Sequence, residues 1–269
     1  MTNIEALKYH QELQLRAGRD AYKCTCHFLR VGDEFPIPHG SGVFVKIKNV
    51  HFLFTAAHVV ENLQSDIFIG TEKDIVVRMG GTWTMNTLET GQKREDDKLD
   101  IAILRLDDES ILYANQFYGF IDDSEIGYNH VTKPLPFYTG VGFPSTKSKL
   151  NKYKRSIVSR PLIFNTKPCE EELYAKLDCD KGINLLVGYD KQNLIDTTTN
   201  NKIVGPDPFG MSGGGLWFVD AQLTGSTQKV AKKLVGILTE WPSKNRKVWI
   251  SSKIDVFMIT LYTRYPELR

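Results

Sequence analysis

One serine of this chain stands in a turn whose composition suits a nucleophile. Ser212 lies in the run Gly210-Met211-Ser212-Gly213-Gly214, between the turn residues 206–208 and an apolar segment at 216–219 that is typical of a strand. Glycine permits a positive φ and brings bare N–H groups close to a ligand. A reactive serine needs an accessible hydroxyl and N–H groups directed at the position where an oxyanion forms. The turn therefore predicts nucleophilic chemistry at Ser212.

The positions of the histidines decide which base can activate Ser212. The pattern Gly210-x-Ser212-x-Gly214 also fits the nucleophile elbow of α/β-hydrolases, in which the histidine follows the serine along the chain. All six histidines precede Ser212, and they are His10, His27, His39, His51, His58 and His130. A base for Ser212 must therefore lie upstream, which indicates the chain order histidine, aspartate, serine.

Two upstream segments supply a base and an acid. His58 follows the apolar run 52–56, and Asp100 opens the apolar run 101–106. Because Asp100 adjoins a continuous apolar strand, its carboxylate needs a partner, whereas the other acids nearby lie in polar runs where they are simply solvated. Those other acids are Glu95, Asp96, Asp97, Asp107, Asp108 and Glu109. A strand-capping role is the alternative for Asp100, and the presence of His58 and Ser212 favours a catalytic one.

Together the three segments resemble the trypsin-like serine peptidases. The matching residues are 55–58 for the base, 100–104 for the acid and 210–214 for the nucleophile, and the resemblance spans residues 40–249. Residues 140–144 also look like the Gly-Phe/Tyr-Pro segment of bacterial members. The resemblance implies an all-β fold of two six-stranded antiparallel β-barrels of chymotrypsin type, with an N-terminal and a C-terminal helix.

The resemblance also implies roles for the three residues. His58 would take the proton of Ser212 as that oxygen attacks a carbonyl, and Asp100 would orient the imidazole. The backbone N–H groups of Gly210 and Ser212 would form the oxyanion hole. The implied activity is that of a serine endopeptidase acting on proteins or peptides, without a cofactor or metal.

Residues after the nucleophile complete the implied site. By resemblance, Thr239 supports Asp100 through a hydrogen bond from its hydroxyl. The segment Thr239, Glu240 and Trp241 would line the edge where an extended substrate pairs as an added strand. Asp207 or Glu240 would favour a basic substrate side chain if it reached the pocket, and the alternative is that both carboxylates face solvent.

One departure from digestive members concerns activation. Those members have an aspartate directly before the nucleophile, and here that residue is Met211. The chain also lacks the Ile-Val-Gly-Gly start that would supply the amine partner of such an aspartate. We therefore expect control by loop ordering, an oligomer or a regulatory protein partner rather than by proteolytic activation.

The predicted organisation follows the chain. We expect an N-terminal helix at 1–20, a first barrel at 21–130, a second barrel at 131–250 and a closing helix at 251–269, capped by Ser251 or Ser252. One continuous strand is predicted at 156–165. The first helix packs on the domain or docks a partner. The basic stretch 147–155 is a solvated loop or contacts an acidic partner.

Composition excludes several classes of protein. The net charge of +2 gives no reason to expect a nucleic-acid partner, and no apolar run approaches the ~20 residues of a membrane span. The N-terminus has no apolar signal region, so we expect a cytoplasmic protein. Reduced thiols are expected, although a metal site of Cys24, Cys26 and His27 with Cys169 and Cys179 is an alternative.

Two other functions share this scaffold. A non-catalytic or latent protein of the same fold would act as an interaction or sensor module. An esterase would turn over small esters and cleave no peptide. The intact set of His58, Asp100 and Ser212 favours the peptidase over both.

Overall fold

The fold is built on two largely antiparallel sheets. A computed structural model describes residues 3–30, 36–61, 63, 67–70, 76–133, 137–151, 156–195, 201–220 and 230–269. Among these residues there are five α-helices: α1 (Asn3–Tyr22), α2 (Ala57–Val60), α3 (Asp108–Phe117), α4 (Glu172–Lys176) and α5 (Ile254–Arg264). The predicted all-β fold with a helix near each end is therefore observed.

The first sheet contains the described strands of the N-terminal half. They are β1 (Thr25–Arg30), β2 (Ile37–Ile47), β3 (Val50–Ala56), β4 (Phe68–Gly70), β5 (Val76–Arg78), β6 (Gly81–Met85), β7 (Ile101–Leu106) and β8 (Ile121–Asp122). Their order is β5-β4-β1-β2-β3-β7-β6, and β8 adds a short parallel pairing to β2. With eight described strands, this sheet exceeds the predicted six by short pieces such as β5 and β8.

The second sheet is built from the C-terminal half. The described strands there are β9 (Tyr138–Gly142), β10 (Ser148–Asn151), β11 (Ser156–Ser159), β12 (Leu162–Thr166), β13 (Asn184–Gly188), β14 (Leu194–Ile195), β15 (Lys202–Ile203), β16 (Gly215–Val219), β17 (Lys232–Glu240) and β18 (Val248–Lys253). Six of these described strands form one sheet in the order β12-β9-β16-β17-β18-β13. The others pair as two small hairpins, β10 with β11 and β14 with β15.

The core joins the two sheets, and each of them curls into a half-barrel. Val43 and Phe54 of the first sheet belong to one buried cluster with Val141, Trp217 and Ile237 of the second. Their side chains are fully buried, which fixes the two sheets against each other. Of the predicted site residues, His58 lies two residues after β3, Asp100 directly precedes β7, and Ser212 lies three residues before β16.

The two terminal helices pack on the sheets in different ways. In α1 the buried residues Leu13, Ala17 and Ala21 recur every four positions and form one face. Gly18 lies so close to β12 that a Cβ there would fall 2.4 Å from Ile163 Cγ2. In α5, Phe257 stacks on Phe54 of β3 at 5.4 Å between ring centroids. The N-terminal helix thus packs on the second sheet, whereas the C-terminal helix contacts both sheets, through β6 and β7 of the first and β17 and β18 of the second.

Three local predictions are corrected. Strand β18 continues to Lys253, so Ser251 and Ser252 do not cap α5, and their hydroxyls donate to the carbonyls of Leu185 and Leu99 instead. The single strand predicted at 156–165 is two strands, because residues 160–161, which include a proline, lie between them. The first barrel is predicted to begin at residue 21, but α1 extends to Tyr22 and the first strand begins at Thr25.

Helix α3 was not predicted from the sequence. Asp107, which was interpreted as a solvated acid, is its N-cap and accepts a hydrogen bond from the Ser110 N–H. That bond and the Ser110 side chain lower the pKa of Asp107. Within the described chain, no helix is both long enough and apolar enough to cross a membrane.

Candidate active site

His58 is positioned by the end of a fully buried strand. The residues before it in β3, Phe52 to Ala56, are buried, so the start of α2 is fixed in place. On α2, Val59 and Val60 are buried, while the side chain of His58 is 40% exposed. The apolar pattern therefore anchors the short helix through its valines and leaves the imidazole accessible from solvent.

Asp100 holds His58 at two points. Its Oδ2 lies 2.6 Å from His58 Nδ1, and its Oδ1 accepts a 2.9 Å hydrogen bond from the His58 N–H. Because an ionised carboxylate only accepts hydrogen bonds, the neutral imidazole in this position carries its proton on Nδ1 and has its lone pair on Nε2. The arrangement selects the imidazole tautomer that a general base requires.

The backbone at Asp100 adopts a conformation that few side chains tolerate. Asp100 has a φ of 46°, in the left-handed region where aspartate and asparagine are enriched. The residue is 4% exposed and comes directly before β7. This bend turns the carboxylate towards His58 instead of leaving it in line with the strand.

A second aspartate, Asp97, builds that bend. Its carboxylate accepts hydrogen bonds from the N–H groups of Leu99 and Asp100 at 3.0 and 3.1 Å. It also pairs with Arg94 Nη1 at 2.7 Å and accepts from Asn86 Nδ2 at 2.8 Å. Asp97 is buried, so its interpretation as a solvated acid is corrected. Spacing three residues before Asp100 was the available sequence signal for this role.

The turn of the predicted nucleophile, residues 206–214, requires its glycines, and we call it the nucleophile turn. Gly210 and Gly213 have φ values of 91° and 88°. A Cβ at Gly213 would fall 1.9 Å from the carbonyl oxygen of Ser41, so no other residue fits there without a shift of the backbone. The hydroxyl of Ser212 donates a 2.9 Å hydrogen bond to the carbonyl of Thr239, rather than to the ring of His58.

Ser41 of β2 joins the nucleophile turn to the first sheet. Its N–H donates to the carbonyl of Ser212 at 2.8 Å, and its hydroxyl donates to the carbonyl of Gly210 at 2.9 Å. The same hydroxyl accepts the N–H of Phe143 at 2.8 Å, and Thr55 Oγ1 donates to the Ser41 carbonyl at 2.7 Å. The sequence analysis did not identify Ser41, although its place between two glycines was a signal of close backbone approach.

Gly40 shows how near the nucleophile lies to the helix of His58. A Cβ at Gly40 would fall 2.4 Å from Val59 Cγ1 and 3.4 Å from the carbonyl oxygen of Ser212. The neighbouring His39 donates through Nε2 to the carbonyl of Val59 at 2.8 Å, and burial lowers the pKa of His39. A single residue of β2 thus separates the segment of His58 from that of Ser212.

The N–H groups of Gly210 and Ser212 follow two carbonyls that accept hydrogen bonds from other parts of the chain. The carbonyl of Phe209 accepts from the Ser145 N–H at 2.7 Å, and that of Met211 accepts from the Gly214 N–H at 2.9 Å. In a trans peptide the N–H points opposite to the C=O, so the following N–H groups are turned away from these donors. Within the described chain, neither N–H has a hydrogen-bond acceptor.

Thr239 does not contact Asp100 as predicted. Its hydroxyl donates to the carbonyl of Ile250 at 3.2 Å, because Thr239 lies in β17, which pairs with β18 along this stretch. Its carbonyl instead accepts the hydroxyl of Ser212. The predicted hydrogen bond to the aspartate is therefore replaced by an inter-strand one, and Thr239 meets the nucleophile through its backbone.

The acids expected to favour a basic substrate are both paired. Asp207 Oδ1 lies 2.6 Å from Lys191 Nζ, and Glu240 Oε2 lies 2.6 Å from Lys98 Nζ. Trp241, which follows Glu240, donates from its indole to the carbonyl of Arg246 at 3.0 Å. The physical ground for a preference for basic side chains is thereby removed.

The four cysteines, all of which the structure describes, form no disulfide. All four are free thiols, with Cys24 and Cys26 buried. Burial raises the pKa of Cys26, and it raises the pKa values of Cys169 and Cys179 to about 11. Within the described residues, no group of three or more histidine, cysteine or acidic side chains is placed to hold a metal ion.

His27, considered above with the cysteines, has a partner in the second half of the chain. Ser159 Oγ lies 2.7 Å from its Nδ1, and its ring stacks on Phe143 at 5.1 Å between centroids. Burial lowers the pKa of His27 to about 3. The His27 ring is therefore neutral near pH 7, and its hydrogen bond links β1 to β11.

Comparison with known proteins places the fold. No protein-family model matches the chain, and no curated protein matches it. Among solved structures it is similar to neuropsin, a serine protease expressed in the limbic system of mouse brain. The TM-score is 0.55 and the identity 13%, over 90% of this chain and 94% of neuropsin.

Two further structures give the same result. One is the structure of GrC, with a TM-score of 0.53 and 11% identity over 90% of this chain and 94% of that one. The other is the serine endoprotease from Yersinia pestis, with a TM-score of 0.53 and 13% identity over 93% of this chain and 65% of that one. At these identities the likeness concerns the fold, and it confirms the prediction: the chain has the chymotrypsin-type fold of trypsin-like serine proteases.

Proposed function

We propose that this protein is a serine endopeptidase. The observation that carries the proposal is the two-point hold of Asp100 on His58, with 2.6 Å between Oδ2 and Nδ1. A strand-capping acid has no need of a histidine ring, whereas a general base needs its tautomer fixed and its far nitrogen free. Gly40 of β2 lies against both Val59, the residue after His58, and the carbonyl of Ser212.

In the proposed reaction Ser212 forms an acyl-enzyme. Its oxygen attacks the carbonyl carbon of a peptide bond while His58 Nε2 takes its proton. The C–N bond then breaks as that proton passes to the leaving amine. Water, deprotonated by the same imidazole, attacks the acyl group, and the proton returns to Ser212 as the acid product leaves.

The free N–H groups of Gly210 and Ser212 are the proposed oxyanion hole. Both emerge from peptides whose carbonyls are bonded elsewhere, so they need little rearrangement when charge develops. Donors fixed in advance stabilise an oxyanion better than water, which must reorient. The segment Thr239, Glu240 and Trp241 is the proposed edge for an extended peptide.

One observation favours a latent state as the second candidate. The hydroxyl of Ser212 is donated to the carbonyl of Thr239, so it must rotate about its Cα–Cβ bond before His58 can accept its proton. Catalytic hydrogen bonds are often long or misaligned until substrate binds, so substrate alone can drive this rotation. In the latent candidate, a regulatory protein partner drives it.

Labelling with a fluorophosphonate probe tests the proposal. Stoichiometric labelling of the wild type, lost in Ser212→Ala and His58→Ala, is the expected result, followed by cleavage of a peptide library. Labelling that appears only after a protein partner is added would support the latent candidate. Turnover of small esters with no peptide cleaved would indicate an esterase, and unlabelled protein under all conditions would contradict the enzyme.

A further inference from the structure

An arginine stacks on an aromatic side chain beside the proposed active site. The guanidinium carbon of Arg246 lies 4.2 Å from the ring centroid of Trp241 and 6.0 Å from that of Phe209. The two rings meet edge to face at 5.8 Å between centroids. We call Phe209, Trp241 and Arg246 the aromatic rim. Phe209 is 59% exposed and Arg246 is exposed, so the rim faces solvent.

The rim bridges the two segments that lead away from Ser212. Phe209 lies three residues before Ser212 in the nucleophile turn. Trp241 lies two residues after Thr239, whose carbonyl accepts the Ser212 hydroxyl. The indole of Trp241 donates to the carbonyl of Arg246, which fixes the third member to the second. The rim therefore lies close to the position at which Ser212 would attack a substrate carbonyl.

The aromatic rim carries a positive charge, which Arg246 supplies. The three acids that flank the rim are each paired with a lysine. The pairs are Asp207 with Lys191 at 2.6 Å, Glu240 with Lys98 at 2.6 Å and Asp190 with Lys247 at 3.5 Å. Arg246, in contrast, has no carboxylate partner among the residues that the structure describes. Each lysine neutralises one acid, so none of these three acids is left to offset the charge of the Arg246 guanidinium.

We propose that the site takes substrates with an aspartate or glutamate immediately before the cut bond, an inference that rests on the proposed function. Arg246 recognises this carboxylate. A guanidinium stacked on an indole keeps its in-plane N–H donors free, and two of them match the two oxygens of a carboxylate. The ring also restricts the arginine before binding, so less conformational entropy is lost. A basic substrate side chain would instead meet an unpaired positive charge.

Paired peptides test the inference. Peptides that differ only by glutamate or glutamine before the cut bond are compared by kcat/KM with the wild type and with Arg246→Gln, Arg246→Lys and Lys244→Gln. We expect the wild type to prefer glutamate by about tenfold, the usual order for a charge-assisted hydrogen bond. Arg246→Gln should remove this preference, so that glutamate and glutamine peptides are cleaved with similar kcat/KM.

Two variants separate stacking from charge. Arg246→Lys keeps the charge but loses the planar fork, so we expect it to retain part of the preference. Lys244 is exposed and lies two residues from Arg246, outside the rim, so Lys244→Gln should keep the full preference. A wild type that prefers glutamine, or an Arg246→Gln variant that still prefers glutamate, would overturn the inference.

Binding to Ser212→Ala keeps this test independent of catalysis. The same uncleaved peptides are titrated against Ser212→Ala and against Ser212→Ala combined with Arg246→Gln, with tryptophan fluorescence as the readout. Tighter binding of the glutamate peptide that disappears with Arg246 supports the inference even if the wild type fails to label. Equal binding of both peptides contradicts it even if labelling succeeds.

Discussion

The hydroxyl of Ser41 donates to the carbonyl of Gly210 at 2.9 Å, across the junction of the two sheets. Because the N–H of the same residue donates to the carbonyl of Ser212, Ser41 holds the nucleophile turn on both sides of Met211. Met211 is itself fully buried. A strand of the first sheet thus sets the geometry of a loop in the second.

Replacing Ser41 by alanine should slow the reaction without weakening substrate binding. The Gly210 carbonyl would lose its donor, the Phe143 N–H would lose its acceptor, and the N–H groups proposed for the oxyanion hole would be less well fixed. We expect kcat, or the rate of probe labelling, to fall by about tenfold to a hundredfold with little change in KM.

Ser145, which donates hydrogen bonds to the same turn, provides a matched control for Ser41. Ser145 Oγ also donates to a carbonyl of the turn, that of Phe209, but the Ser145 backbone N–H satisfies the same carbonyl. Ser145→Ala should therefore change the rate by less than about threefold. Equal losses of rate in Ser41→Ala and Ser145→Ala would show that the hydrogen bonds of the Ser41 hydroxyl do not specifically fix the proposed oxyanion hole.

Asparagine at position 100 should separate electrostatics from backbone geometry. Asparagine tolerates the positive φ of Asp100 as well as aspartate does, so Asp100→Asn should leave the thermal midpoint nearly unchanged. Its amide donates towards His58 Nδ1 and selects the wrong tautomer. We expect kcat to fall by about 10⁴-fold, measured on any peptide that the wild type cleaves.

Alanine at the same position gives the contrasting result. Asp100→Ala would lose the carboxylate and also place a residue with no local hydrogen bond at a φ of 46°. We expect a lower thermal midpoint in addition to the lost rate, because such a conformation costs about 1–3 kcal/mol. If Asp100→Asn and Asp100→Ala have the same thermal midpoint, below that of the wild type, then the positive φ of residue 100 does not explain the loss of stability.

The buried carboxylate of Asp97 should contribute to both stability and rate. Asp97→Asn would break the pairing with Arg94 and place an amide near the N–H groups of Leu99 and Asp100. We expect a loss of about 2 kcal/mol in the free energy of unfolding, measured with urea, together with slower labelling. Asp96 is exposed, so Asp96→Asn should stay within about 0.5 kcal/mol of the wild type.

The order of the three motifs is enough to predict the fold, because each motif can be recognised within its own segment of the sequence. Apolar runs predicted β3 and β7, and glycine content predicted the turn at Ser212. The pairing of His58 with Asp100 follows once those two strands are neighbours, as they are in the sheet. Local pattern and sheet order therefore agree at this part of the site.

The supporting residues depended on long-range contacts that no local pattern shows. Asp97 and Asp96 look alike in sequence, yet one is buried under the bend of Asp100 and the other is exposed. The hydroxyl of Thr239 was assigned to Asp100, but the carbonyl of Ile250 on the neighbouring strand is its partner. Strand register, which sequence periodicity leaves open, decided that contact.

The buried ring of His27 should make stability depend on acid. Its pKa is about 3 in the folded chain and 6.5 when exposed, so the unfolded chain binds more protons between these values. Stability is therefore full above pH 6.5 and falls as the pH drops towards 3, with about 2 kcal/mol lost by pH 5. In His27→Phe, the difference between urea unfolding at pH 7 and pH 5 should shrink by that amount. Ser159→Ala removes the hydrogen bond but keeps the ring, so it should retain the slope, and a slope unchanged in His27→Phe would assign the acid sensitivity to other groups.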